Sequence, residues 1–219
     1  MVQKNNKASQ APKIERGAEA KRRGRPRAYQ PDVALGKALD LFRKEGFAAT
    51  SLDDLSAATG MNRPSLYGAF GDKRELYIKS YQRYRDDART ATTDIFREDM
   101  PIRKRLARIY AVALDIYLNG ESPRGCFTVM TAGSEAVHDP EIRAMVQEAL
   151  AELDKAFAAC FRRGKEKGEL PPSADVQTLG QLASATIHTI AIRARAGVPR
   201  KELEAIVRGA IDVMVGAKA

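Results

Sequence analysis

"ALDLFRKEGFAATSLDDLSAATGMNRPSLYGAFGDKREL", Ala38 to Leu76, sets helices and tight turns in a close succession that decides how the rest of the chain is read. The helix it opens on begins earlier, with Pro31 in its first turn and Asp32 beside the positive end of the helix dipole. Ala34, Leu35, Ala38, Leu39, Leu41 and Phe42 then recur at three- and four-residue steps, which places them on one face. Gly46 stops the helix, and Phe47 is placed to fold back on its last turn. Thr50 or Ser51 caps a second helix, with Asp53 or Asp54 three positions on in capping-box spacing, and Leu52, Leu55 and Ala58 form its buried side. It ends at Thr59-Gly60. Asn62 caps a third helix with Leu66 and Phe70 four apart, and "DKREL" opens a fourth, Asp72 and Glu75 completing another box. Helix, glycine turn, helix is a helix-turn-helix arrangement.

These residues resemble the DNA-binding domain of the TetR family of repressors. The Phe-Ala-Ala-Thr-Ser lead-in, the Gly60 turn, Leu66-Tyr67, Phe70, and Lys73 with Leu76 fall in the family's order without a gap. The resemblance implies an all-α fold: an N-terminal three-helix helix-turn-helix domain and a larger C-terminal helical domain for dimerisation and ligand binding. The family often carries an aromatic residue where this chain has Gly68 and a histidine where it has Ala69.

The chemistry of the third helix stands without that resemblance. A major groove about 12 Å wide admits one helix, and the second helix of such a pair presents its N-terminal residues to base edges. Here those are Arg63, Pro64 and Ser65, with Gly68 one turn on. Arg63 can donate two bonds to guanine O6 and N7, worth about 1–3 kcal/mol of discrimination. Ser65 bonds to several bases and discriminates weakly, and the Pro64 ring can meet a thymine methyl. Gly68 lets the backbone approach the DNA. The resemblance implies phosphate contacts from Tyr67, Lys73 and the start of the second helix at Thr50 and Ser51.

Charge placement points the same way. The net charge is +9, and the first 30 residues alone hold nine Lys/Arg against two Glu. A basic arm favours a polyanion or an anionic membrane face. This one has no apolar face to insert, and no apolar run of about 18 residues follows it, so double-stranded DNA is the expected partner and a membrane is not. Residues 1–28 are too polar to bury a core and read as a disordered basic arm, residues 29–76 as the helix-turn-helix domain and residues 77–219 as the effector-binding and dimerisation domain. Within the arm, "RGRP" resembles an AT-hook. Arg23, Arg25 and Arg27 then lie in a narrow A·T-rich minor groove beside the half-site read by Arg63. A solvated tail is the alternative. The N-terminus lacks the apolar core of a signal peptide, and two cysteines fit a reducing compartment, so a cytoplasmic protein is expected.

Downstream the apolar period remains helical, with helices near 101–118, 125–137, 140–167, 174–196 and 199–215, about nine in all. The last two carry apolar positions beside small residues: Val176, Leu179, Gly180, Ala183 and Ile187, then Leu203, Val207, Ala210, Ile211 and Met214. Small residues let helices approach closely, which makes these two the candidates for a two-fold four-helix interface in a homodimer, as the resemblance also implies. Tyr110, Leu114, Tyr117, Cys126, Phe127, Met130, Phe157 and His188 are the candidate lining of a pocket for an unidentified small-molecule effector, although each also fits ordinary core packing. Cys126 with Arg124 nearby reads either as a thiol sensor or as a small packing residue. No metal-ligand spacing, phosphate loop or nucleophile motif is present in the sequence, so neither a cofactor nor catalysis is expected. The rival readings are an architectural DNA-binding protein that uses the arm alone, a helical enzyme, and a dimerising adaptor that would show no salt-dependent DNA binding.

Overall fold

The computed structural model describes Met1, residues 30–120 and residues 124–217. Arg23, Arg25 and Arg27 lie outside the described residues. Among the described residues the chain forms ten helices and no strand: α1 (Pro31–Glu45), α2 (Leu52–Thr59), α3 (Arg63–Phe70), α4 (Lys73–Arg97), α5 (Ile102–Leu118), α6 (Phe127–Gly133), α7 (Glu135–His138), α8 (Pro140–Glu166), α9 (Val176–Arg195) and α10 (Arg200–Val215). The tenth arises because the helix expected over 125–137 breaks at Ser134, whose backbone (φ −127°, ψ −89°) leaves the helical region.

The head is α1 to α3 packed on the start of α4. Local chemistry fixes each end. Ser51 and Asp54 form the capping box of α2, the Ser51 Oγ accepting the Asp54 N–H at 3.1 Å and the Asp54 carboxylate accepting the Ser51 N–H at 2.8 Å. Gly60 takes the left-handed conformation (φ 72°) that turns α2 into α3. The Asn62 side chain accepts the Ser65 N–H at 2.9 Å to start α3, and Asp72 with Glu75 boxes the start of α4. The turn therefore orients α3 through backbone bonds, while Ala38, Phe42, Leu55, Leu66 and Leu76 fill the space beneath it. Each of the larger side chains contributes about 1.5–3 kcal/mol by burial.

Helix α4 runs without interruption from the head into the body, so the expected boundary at residue 76 falls inside its first turn. Tyr77 rivets the two parts. Its ring lies 5.1 Å from those of Phe42 and Phe47 in the head and 5.2 Å from that of Phe127 in the body, all edge-on. Its hydroxyl bonds the Thr131 hydroxyl at 2.8 Å and donates to Glu135 at 3.0 Å.

The body packs α8 against α9, and α10 against both α5 and α9. Gly180 makes the first pairing possible, because a Cβ there would sit 2.8 Å from the Ala158 backbone nitrogen. This packing corrects the expected dimer surface. Gly180, Ala183, Ile187, Leu203, Val207, Ile211 and Met214 are buried within the chain, and Val176, Leu179 and Ala210 are partly buried against the same core. Periodicity located the apolar faces of the two helices; the chain's own core occupies them. What these helices leave outward is a different stripe, with Leu182, Ile192 and Val213 at 48%, 57% and 84% exposure.

Candidate DNA interface and effector cavity

Helix α3 stands on the head with its core side, Leu66 and Phe70, buried and its other side open. Arg63, Pro64, Tyr67 and Gly68 are exposed and Ser65 is half-buried, so the predicted base-reading residues share one accessible face. Gly68 has open space where a side chain would go. Lys73 lies one turn away at the start of α4, its ammonium 4.3 Å from the Phe47 ring centroid, which fixes the stem and leaves the charge near the surface. Arg63 does not hang free: its Nε donates to one oxygen of Asp53 at 3.0 Å and its Nη2 to the other at 2.7 Å.

The start of α2 departs from expectation. Thr50 is 1% exposed and its hydroxyl donates to the Gly46 carbonyl at 2.6 Å, so it presents nothing to a phosphate. Ser51 is exposed, but its N–H and hydroxyl both donate to Asp54, at 2.8 and 2.6 Å. The capping box uses the donors that the sequence reading left for phosphate, and two carboxylates, Asp53 and Asp54, stand in the same turn.

Within the body a cavity of about 340 Å³ opens between α4, α5, α8 and α9. Ile109, Ala113, Ile116, Leu150, Leu153 and Ile187 give it an apolar wall. Polar side chains share the lining in groups: Tyr84, Tyr117 and Thr128 beside Cys126, Arg85 and Arg89 with Glu152, Thr92, Thr93 and Arg97 further along α4, and His188 on α9. Burial, and then the adjacent Cys126, push the Tyr84 and Tyr117 phenols well above their usual range, so both are neutral hydroxyls. Burial lowers His188 below its usual value against an opposing pull from Asp154, leaving a neutral imidazole at pH 7. Arg85 and Arg89 line another part of the cavity and share Glu152, at 2.8 and 2.9 Å.

Of the expected lining residues, Tyr117, Cys126 and His188 border this cavity, and Cys126 and Met130 border a second of about 280 Å³ next to α9. Tyr110, Leu114, Phe127 and Phe157 are corrected to core. Tyr110 donates to the Ala183 carbonyl and stacks on Phe157, Phe127 is enclosed by the rings of Tyr77, Tyr81 and Tyr84, and Leu114 is 1% exposed. The sequence reading missed the α4 wall. Tyr84, Ala88, Thr92 and Phe96 recur every four residues, a stripe whose small and hydroxylated members cannot fill the space between two aromatics. Arg124, expected beside the Cys126 thiol, pairs with Asp40 of α1.

A buried arginine joins the cavity wall to the head. Arg43, on α1 and 8% exposed, donates to the carbonyls of Ile116 at 3.1 Å and Gly125 at 3.0 Å, with its guanidinium 5.1 Å from the Tyr84 ring centroid. Ile116 and Tyr84 both line the cavity. Arg195 of α9 returns the link by donating to the Arg43 carbonyl at 2.9 Å. Among the described residues, no helix is long and apolar enough to cross a membrane, and no group of three His, Cys, Asp or Glu is placed to hold a metal.

The arrangement of an exposed recognition helix on a helical body has relatives. Residues 34–79 match the model of the bacterial regulatory proteins of the tetR family, and residues 103–210 match that of the tetracyclin repressor-like C-terminal domain. The HTH-type transcriptional repressor ComR of Escherichia coli K12 is 30% identical over 184 residues, covering 84% of this chain and 88% of ComR. The chain belongs to the TetR family. TetR-family membership makes it a DNA-binding transcriptional regulator, with a helix-turn-helix head and a helical C-terminal body. Another relative, the repressor BdcR of the same organism, is 33% identical over 120 residues, 55% of this chain and 59% of BdcR. Among solved structures, a triple-cysteine mutant of the TetR family regulator CifR in complex with 26 bp of double-strand operator DNA superposes with a TM-score of 0.76. It is 30% identical, and the match covers 86% of this chain and 98% of that one.

Proposed function

We propose that this TetR-family regulator is a ligand-responsive homodimeric repressor without catalytic activity, acting in the cytoplasm on a near-palindromic operator. The observation that carries the reading is the open face of α3: Arg63, Pro64, Ser65 and Gly68 share one accessible side at the helix N-terminus, on a head whose turns are locked by capping bonds. In the major groove Arg63 is the discriminating contact, with Tyr67 and Lys73 on flanking phosphates and the basic arm of Arg23, Arg25 and Arg27 in the adjacent minor groove. The similarity to CifR bound to its operator supports this docking.

The functional division follows residues 1–28, 29–76 and 77–219, with α4 as the strut between head and body. Dimerisation is assigned to the outward stripe of α9 and α10. Leu182, Ala185, Thr189 and Ile192 on one helix and Gly209 and Val213 on the other are exposed at three- and four-residue spacings, as a two-fold four-helix contact needs. The effector occupies the 340 Å³ cavity, whose apolar wall beside hydroxyl, imidazole and guanidinium groups suits a compact amphipathic molecule with an apolar body and a polar end. Its effect reaches DNA because Arg43 hangs from the cavity wall: an effector that displaces Ile116 or Tyr84 shifts α1, and with it the spacing of the two heads. By linkage, such an effector binds the DNA-incompetent state more tightly than the competent one.

Selection of binding sites from a random DNA pool tests the reading. Two inverted half-sites spaced by a whole number of helical turns are expected. Recovery of no enriched sequence would reject it in favour of arm-driven architectural binding.

A further inference from the structure

We propose that Asp53 is a specificity-determining residue that holds the Arg63 fork in position to read guanine. The inference rests on α3 docking in the major groove, and goes beyond it by assigning a role to a residue on a different helix.

Asp53 and Arg63 meet across the turn with near-parallel bonds, 3.0 Å from Nε and 2.7 Å from Nη2, one to each carboxylate oxygen. Local structure does not require this carboxylate, because the capping box of α2 is made by Asp54. Stability does not require the pair either. The Arg63 and Asp53 side chains are 54% and 75% exposed, and solvent screens an ion pair so placed.

What the pair does is geometric. A guanidinium has five N–H donors in one plane. Asp53 takes the Nε–H and one Nη2–H, which are the side edge of the fork. The end of the fork, Nη1 and the second Nη2–H, stays free, and two parallel donors there match the O6 and N7 acceptors of guanine. An unrestrained arginine would surrender rotamer entropy on docking, and would also swing to a phosphate on non-cognate DNA. Asp53 removes part of that loss in advance and opposes the swing, since its own charge repels phosphate. It therefore lowers affinity for DNA in general and raises the preference for guanine.

The test uses the full-length protein as wild type, Arg63→Ala, Asp53→Asn and the double variant, each checked for an unchanged thermal melt. Affinities are measured for the selected operator, for the operator changed at the base pair whose preference Arg63→Ala abolishes, and for unrelated DNA of equal length. Expected is at least a five-fold loss of discrimination at that one base pair in Asp53→Asn, binding to unrelated DNA that is unchanged or tighter, and no further loss of discrimination when Asp53→Asn is added to Arg63→Ala. If Asp53→Asn tightens all three DNAs by the same factor with discrimination intact, Asp53 only repels or sequesters and the proposal is overturned. An unaltered set of affinities also overturns it. Failure of the α3 docking itself is separately visible, because Arg63→Ala would then abolish no base preference.

Discussion

Tyr77 offers the sharpest test of how head and body are joined. Its ring is 1% exposed and meets three aromatic rings drawn from both parts, while its hydroxyl is shared with Thr131 and Glu135. Tyr77→Phe keeps the rings and leaves the fully buried Thr131 hydroxyl without that partner, which costs about 1–2 kcal/mol. Tyr77→Ala also empties the junction, and aromatic-to-alanine changes in cores cost about 3–5 kcal/mol before the hydroxyl is counted. In a chain of this length each kcal/mol moves the melting temperature by about 2–4 °C. Thermal unfolding at one fixed protein concentration should therefore show drops of about 2–8 °C for phenylalanine and, with the hydroxyl counted, about 8–28 °C for alanine, each as one cooperative transition. Equal drops for the two variants would refute the division of labour between ring and hydroxyl. A wild-type melt in two separate steps would refute the claim that Tyr77 couples the parts.

Other expectations follow from single contacts. Gly180→Ala places a methyl 2.8 Å from the Ala158 backbone, where no flexible side chain can yield, so α8 and α9 must separate at a cost of about 1–3 kcal/mol in denaturant unfolding. Leu182→Glu with Ile192→Glu puts charge on the outward stripe of α9, and sedimentation should report monomer with the helical signal retained. The Arg74 fork, together with the cap N–H groups of Glu141 and Ile142, holds the Asp139 carboxyl down at about 2. The unfolded carboxyl binds its proton first as pH falls, so this link is fully stabilising above about pH 3.8 and is lost as pH drops towards 2. Arg74→Met should move the Asp139 titration upward by NMR and remove that slope from acid unfolding.

Punctuation made the head legible. Gly46, Gly60, Asn62 and the two capping boxes each act through backbone bonds within a few residues, so their meaning is local and survives in the linear order. The resemblance rests on the same stretch, which is why the face bearing Arg63, Pro64 and Ser65 could be named in advance. Faces were harder than helices. Leu203, Val207 and Ile211 have the period of a buried stripe, but period alone does not say whether the cover comes from α5 of the same chain or from a second copy. Burial in the single chain accounts for that stripe and leaves Leu182, Ile192 and Val213 exposed, the residues proposed for the contact between copies.

The cavity was least legible because it is made by what side chains fail to fill. Phe127 and Phe157 drew attention as large apolar residues, and large apolar residues close space; Ala88, Thr92 and Ala113 leave it open. The Asp53–Arg63 pair was hidden for another reason. Two acidic residues competed for one cap, and only the folded turn shows Asp54 in the box and Asp53 free to cross to α3.

Sequence reading through Arg63 of α3 is the heart of the proposed function. Its most direct measurement is the affinity of wild type and Arg63→Ala for a selected operator and for scrambled DNA of equal length, in the same salt. Expected is a loss of about 5- to 150-fold per half-site on the operator, the equivalent of about 1–3 kcal/mol, and only a small uniform loss on scrambled DNA. Equal losses on both DNAs, or none on the operator, would contradict it.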